Sequence, residues 1–452
     1  MKMKTLIKNG TLVTPDGLQK GDMLIEGGKI AAVGTSLDAE GKDDISVFDA
    51  SGLLVSPGLI DLHCHLREPG FEYKEDIASG MRAAAHGGFT SVCCMADTHP
   101  VNDTAAVTEF IKMKARREEA LGGPAVRVYP IGAATKGMKG EELTEMGDLK
   151  EAGIVAVSDD GKSVADAGRM RLVLSYARHF GLPVVTHPED LNLVGGGLMN
   201  EGYWSTVLGM PGTTRAAEES IIARDCMLAE LEGARLHVAH VSTAGGADIV
   251  RWFKARGAEG RGARITAETA PHYLYATDAW VGGPDGGLPY DANTRVNPPL
   301  RTDKDVQALI AALKDGTIDC IATDHAPHHS DEKNTEYALA ASGISGFETA
   351  LGVCWTALVA SGHMTPEQML RKMTSDPARI FSLPSLAELG GNLEIGASAD
   401  IALIDPAAEW IVDVSEFLSK GKNNPFHGKK LTGKVVATYV EGKCVYKEKG
   451  RA

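Results

Sequence analysis

His63 and His65 stand two residues apart at the end of an apolar run. In an extended strand, positions i and i+2 face the same side, so both imidazoles can reach one ion. An isolated pair of this kind is more often two hydrogen-bonded core histidines. Here four further apolar runs end in the same way: 154–160 in Asp159-Asp160, 183–187 in His187, 236–240 in His240 and 320–324 in Asp324. Four histidines and two acids at five strand ends are enough to ligate two divalent ions. Imidazole with carboxylate suits zinc, with manganese or cobalt as substitutes. Two adjacent ions acidify a shared water and polarise a carbonyl, which is the chemistry of hydrolysis. Of the 14 histidines, His86, His99, His179, His237, His363 and His427 read as surface or packing residues. His237, three positions before His240, is expected to face the opposite way. His272, His325, His328 and His329 fall near the same strand ends.

Elements must bring these ends together. Eight short apolar runs recur through the middle of the chain, at 59–65, 90–96, 127–133, 154–160, 183–187, 236–240, 264–268 and 320–324. Helical patterns lie between them at 105–121, 164–180, 215–231 and 303–313. Alternation of this kind predicts an α/β fold with a parallel sheet, and eight runs favour a closed (β/α)8 barrel of the TIM type. The C-terminal ends of barrel strands share one face, so residues distant in sequence meet in one pocket. Both ends of the chain read differently, as short strands with tight turns. Asn9-Gly10 and Gly27-Gly28 are hairpin signals near the start. Near the end, 399–404 stops at Pro406, and 434–440 is joined to 443–446 through Glu441-Gly442. A small composite β-sandwich built from both termini follows, with expected domains 1–56, 57–387 and 388–452.

With 60 acidic against 46 basic residues the net charge is −14, which argues against a nucleic-acid binder. An anionic substrate would need a local cluster of positive charge. Seven scattered cysteines without a C-x-x-C spacing indicate neither a disulfide framework nor a zinc ribbon. No signal peptide or run of about 18 apolar residues stands out. A reducing cytoplasm and no membrane partner are therefore expected.

The run Asp61-Leu62-His63-Cys64-His65-Leu66-Arg67-Glu68-Pro69-Gly70 resembles a signature of the dihydroorotases, members of the cyclic amidohydrolase superfamily. Ala322-Thr323-Asp324-His325-Ala326-Pro327-His328 resembles a second one. Between them Val238-Ala239-His240-Val241-Ser242-Thr243, Ala267-Glu268-Thr269-Ala270-Pro271-His272 and Val296-Asn297-Pro298-Pro299-Leu300-Arg301 follow in family order. The resemblance spans essentially the whole chain. It implies two zinc ions per subunit, one on His63, His65 and Asp324 and a more exposed one on His187 and His240. It also implies interconversion of L-dihydroorotate and N-carbamoyl-L-aspartate in pyrimidine synthesis. A metal-bridging hydroxide would attack the ring carbonyl while Asp324 moves the proton. The bridging ligand is expected to be Asp160, favoured over Asp159 by spacing to His187 and over Lys162, which lies past the strand end. The implied substrate contacts are His65, Arg67, the position of Asp97, Asn297, His328 and the backbone at Ser342-Gly343. Arg67 follows His65 on the same side and suits a bidentate hold on a carboxylate. The implied partners are a small anionic cyclic amide, a second copy in a homodimer, and aspartate transcarbamoylase.

One position departs from the pattern. The family typically carries Met-Pro-Asn-Thr after the second strand, where this chain reads Met95-Ala96-Asp97-Thr98. Two like charges about 4 Å apart repel by about 1 kcal/mol in water and by more in a drier pocket. Asp97 therefore pairs with Arg67, turns away, or marks a changed substrate. Pro188 directly after His187 is also unusual, removing a backbone donor but leaving the imidazole free. Two other readings stand beside the first. Hydantoinases and allantoinases lack the Arg67 set and generally bridge through lysine. A catalytically silent scaffold for aspartate transcarbamoylase usually loses metal ligands, whereas all six positions here are competent. Segments 330–336 and 343–346 read by composition as mobile pieces over the mouth.

Overall fold

The computed structural model describes residues 4–37, 45–258, 263–283, 289–383 and 391–450. Its apolar middle runs form eight parallel strands: Leu59–Cys64, Phe89–Cys94, Arg127–Pro130, Val157–Ser158, Val184–Thr186, Arg235–Val238, Arg264–Thr269 and Cys320–Ile321. The first three pair in order as one arc and the remaining five as another. Parallel bridges Gly132↔Val157 and Cys64↔His325 join the arcs at both seams. These bridges bring the two arcs together around one barrel. Asp61 reinforces the second seam. Its buried carboxylate accepts Thr323 N at 2.7 Å and Thr323 Oγ1 at 2.6 Å, joining the first strand to the eighth. Burial pushes the Asp61 carboxyl up to about 7 despite those bonds.

Helices Ala105–Ala120, Ala167–His179, Ala216–Glu232 and Asp303–Asp315 occupy the periodic stretches. Their limits follow from local chemistry. Thr302 and Asp305 form a capping box at one N-terminus, and Gly233 at φ 63° and Gly316 at φ 81° end two of the helices. Ile77–His86, Ala244–Ala258 and Phe347–Cys354 are further helices that the periodic pattern did not single out. Phe347–Cys354 shows the reason: nearly every one of its residues is buried, so it has no polar face to reveal a period.

Strands from both ends of the chain share one sheet. Its order is Lys443–Lys447, Lys430–Val440, Ile401–Ile411, Leu54–Pro57, Lys4–Thr14, Gly17–Glu26 and Lys29–Gly34, with Ile45–Asp49 also pairing with Lys4–Thr14. The sheet folds over a core including Ile7, Met23, Phe48, Val55, Leu403 and Tyr439, which makes it a composite sandwich. Phe48 and Tyr439 meet edge to face at 6.5 Å across that core. Two local readings are corrected. Asn9-Gly10 is a bulge inside one strand, not a hairpin: Asn9 sits at φ 60° and its N–H donates to Asp22 at 2.8 Å. The strand near Pro406 does not stop there but runs on to Ile411 through a register shift. Gly27-Gly28 and Glu441-Gly442 do turn hairpins, with positive φ at all four residues. The expected boundary at 387–388 lies outside the described residues. Among the described residues no helix is long and apolar enough to cross a membrane, and six of the seven cysteines are buried.

Between Ile401–Ile411 and Lys430–Val440 the chain leaves the sheet and lies against the loops that follow the eighth barrel strand. This strap, 412–429, brings the C-terminal region to the barrel mouth.

Candidate active site

Asp160 is the centre of the site. Its Oδ2 lies 3.3 Å from His63 Nε2 and 3.5 Å from His65 Nε2. Its Oδ1 lies 3.4 Å from both His187 Nδ1 and His240 Nε2. One carboxylate thus faces two histidine pairs, a different oxygen to each. Asp324 joins the first pair, with Oδ1 3.3 Å from His65 Nε2 and 3.5 Å from His63 Nε2. His187 Nδ1 and His240 Nε2 converge to 2.8 Å. All six side chains are buried. His63 Nε2 and Asp160 Oδ1 are buried and make no hydrogen bond, an arrangement that costs free energy unless a cation satisfies them. The sets His63–His65–Asp160 and Asp160–His187–His240 can each hold a metal ion. Backbone strain collects at the same place. Asp324 at φ 47°, His240 at φ 34° and Arg67 at φ 62° are all in the left-handed region.

Each of three imidazoles is oriented by a carboxylate on its far nitrogen. His63 Nδ1–H donates to Glu268 at 2.7 Å, His65 Nδ1–H to Asp97 at 2.8 Å, and His187 Nε2–H to Glu189 at 3.3 Å. These bonds select the tautomer that turns the other nitrogen toward Asp160. Glu268 in turn meets His237 Nε2 at 3.0 Å, and His237 Nδ1 meets Thr266 Oγ1 at 2.8 Å. The charges agree with this reading. Burial disfavours every ion here, yet Asp97 and Asp324 hold the His65 imidazolium up at about 9. Asp160 and Glu189 hold His187 up at about 10. Against the same burial, the imidazoles keep Asp324 and Asp160 well below the usual carboxylate range. Carboxylates and imidazoles thus face one another across a buried space whose donor set suits a cation.

Arg67 stands beside the first pair. Its guanidinium donates to Asp97 Oδ2 at 2.5 Å and to the Pro327 carbonyl at 3.3 Å, and lies 3.4 Å from His328 Nε2. His328 Nε2–H donates to the Ser342 carbonyl at 2.9 Å. Burial, then the charges of Arg67 and Lys74, push His328 down to about 3, so it is a neutral hydrogen-bonding group. Gly343 must lack a side chain: a Cβ there would sit 2.6 Å from the Ala326 carbonyl and 3.1 Å from His328 Nε2. His65, Asp97, Arg67, His328, Ser342 and Gly343 thus form one connected group. Asn297 is elsewhere, donating to Glu189 at 3.1 Å beside His187.

Several expectations are decided by this geometry. Asp159 is turned away and accepts Ala134 N at 2.9 Å, Thr135 N at 3.0 Å and Thr135 Oγ1. Lys162 is exposed. Of the three readings of Asp97, pairing with Arg67 is the observed one, and the same carboxylate also holds His65. His237 is buried, as a packing residue would be, but it is not turned from the site, since it bonds Glu268. The strand ends at Val238 and His240 twists to positive φ, so simple alternation fails between them. Segment 343–346 is not a free loop but is buried and hydrogen-bonded on both sides. Glu268 and Glu189 were missed as orienting residues. Glu268 ends the seventh apolar run and Glu189 follows His187 by two, so the rule that found the ligands also reaches them.

A barrel whose strand ends present two histidine pairs to a shared carboxylate, beside an arginine, has the arrangement of a cyclic amidohydrolase, with His/Asp clusters able to hold metal. A family model described as Dihydro-orotase-like matches residues 52–245. The dihydroorotase of Pelotomaculum thermopropionicum is 53% identical over 449 residues, covering 99% of each chain. That of Syntrophotalea carbinolica is 51% identical over 447 residues, covering 98% of this chain and 99% of its own. The L-hydantoinase (dihydropyrimidinase) of Arthrobacter aurescens superposes with a TM-score of 0.85 at 25% identity, over 99% of this chain and 97% of that one. The D-hydantoinase (dihydropyrimidinase) of a Thermus species gives 0.81 at 24%, over 99% and 96%, a likeness of fold. The chain belongs to the dihydroorotase family.

Proposed function

We propose that this chain interconverts L-dihydroorotate and N-carbamoyl-L-aspartate, the ring step of pyrimidine synthesis, with two zinc ions. The observation that carries this reading is the division of Asp160 between two histidine pairs with Arg67 adjoining. His63, His65 and Asp324 would hold one ion and His187 and His240 the other, with Asp160 shared. Manganese or cobalt suits the same donors. Bound there, the ions supply an acidified water and a Lewis acid for the carbonyl. The chain's own groups do the rest. Arg67 offers donors to the substrate carboxylate, and the neutral His328, whose one N–H goes to the Ser342 carbonyl, holds the Ser342-Gly343 backbone beside it. Asn297, on the His187 side, offers a further donor to the ring. Asp324, ionised at neutral pH, takes the proton from the attacking water and delivers it to the leaving ring nitrogen. Asp97 neutralises part of the Arg67 charge, which lowers affinity for the carboxylate but keeps the guanidinium in place.

The test is an assay of zinc-loaded protein with L-dihydroorotate, hydantoin and allantoin in parallel. Turnover of L-dihydroorotate well above the other two is expected. Turnover of hydantoin or allantoin with none of L-dihydroorotate would overturn the assignment.

A further inference from the structure

We infer that Asn423, on the strap from the C-terminal region, is a positioning residue that sets the substrate-carboxylate anchor at His328 and Gly343. The inference rests on the function proposed above and adds a residue to it from outside the barrel. Asn423 is 3% exposed, and every hydrogen bond of its side chain goes to the backbone of the two anchor loops. Its Oδ1 accepts from His328 N at 2.9 Å, and its Nδ2 donates to the Ala326 carbonyl at 3.1 Å and the Gly343 carbonyl at 2.9 Å. Its own carbonyl accepts from Ser345 N at 2.8 Å. A primary amide offers an acceptor and two donors on one rigid plane, and no other side chain of that length does. One planar group thus fixes the separation of loop 326–328 from loop 343–345. Arg67 depends on the first loop too, since it donates to the Pro327 carbonyl.

The close seat is built for this contact. A Cβ on Gly421 would lie 2.6 Å from Pro327 Cβ and 2.8 Å from Asn423 Oδ1. The strap is also held independently of Asn423. Ser419 Oγ meets Ser345 Oγ at 2.9 Å and donates to Glu75, while Asn424 Nδ2 donates to the Ser345 carbonyl and Thr349 Oγ1, each at 3.0 Å. An altered Asn423 therefore leaves the strap docked while releasing the loops it spaces.

Substrate contacts of this kind exist in the ground state and the transition state alike, so loosening them raises KM and leaves kcat nearly unchanged. The experiment measures kcat and KM for L-dihydroorotate, metal content and thermal midpoint for wild type, Asn423→Asp, Asn423→Ala and Ser419→Ala. Asn423→Asp is isosteric but presents a carboxylate to two carbonyl oxygens. Both Asn423 variants are expected to raise KM by about tenfold or more, with kcat within about threefold and full metal content. Ser419→Ala, which removes the strap's tethers to Glu75 and to the Ser345 hydroxyl but leaves the Asn423 contacts to His328, Ala326 and Gly343 in place, should lower the thermal midpoint without moving KM. If wild type turns over L-dihydroorotate and neither Asn423 variant shifts KM, this inference fails alone. It fails alone as well if both variants are insoluble or track Ser419→Ala. If wild type has no such activity, the proposed function falls and this inference with it.

Discussion

Asp97 shows how one side chain can serve two neighbours. It accepts from His65 Nδ1–H through one oxygen and from Arg67 through the other, and these cations hold its carboxyl below the usual range despite burial. The repulsion expected between an aspartate and a substrate carboxylate is thereby reduced, because Arg67 and His65 spread its charge. An asparagine would keep an acceptor for only one of the two donors. Asp97→Asn is expected to retain activity within about tenfold and to lower KM, since Arg67 is freed for the substrate. Asp97→Ala leaves His65 Nδ1–H without its partner and should cost about 10–100-fold in metal affinity or activity. Steady-state kinetics with metal analysis on the same samples distinguishes the two. Equal loss in both variants would show that the negative charge itself is required.

At the scale of elements, the seventh barrel strand does more than complete the barrel. Glu268 at its end bonds His63 of the first strand and His237 of the sixth. Burial opposes its charge, but His237 and His63 outweigh that and hold it down at about 2. Glu268→Gln keeps the size and one acceptor but removes the charge that favours His63 as a ligand. The expected result is about 10–100-fold weaker metal binding, read by competition against a chelating dye, with the fold retained. Unchanged affinity would reduce Glu268 to a packing role. The run 264–268 was visible in the sequence as a strand, and so were its seven companions, because apolar runs and helix periods are local properties. Phe347–Cys354 was not, since uniform burial erases its period. Asn9-Gly10 and Pro406 misled for a related reason: a turn signal also fits a bulge, and only strand pairing tells them apart.

For the whole molecule, binding of ions to the native site couples to stability. At free zinc about a thousandfold above Kd, one site adds about 4 kcal/mol, so chelation should lower the thermal midpoint and abolish activity, with zinc restoring both. Protons compete for the same nitrogens. With His65 held up at about 9 and His187 at about 10, each ion must displace protons at neutral pH. Metal affinity is therefore expected to fall as pH drops and to rise toward those values. Zinc competition titrations at several pH values check this, and a flat profile would contradict it. The residues of the site are legible in the sequence as polar groups ending apolar runs, and so is the alternation that makes a barrel. Spacing to His187 already favoured Asp160 over Asp159, and the tertiary structure supplies the reason: a strand-end backbone aims adjacent side chains in opposite directions, so Asp160 faces both histidine pairs while Asp159 turns to Thr135. Tertiary structure alone aimed His240 to the same side as His237, through the left-handed backbone at His240, and joined Asp97 to both His65 and Arg67. It alone carried Asn423, 95 positions from His328, onto the anchor loops, since sequence patterns record local periodicity and not which distant segments pack together.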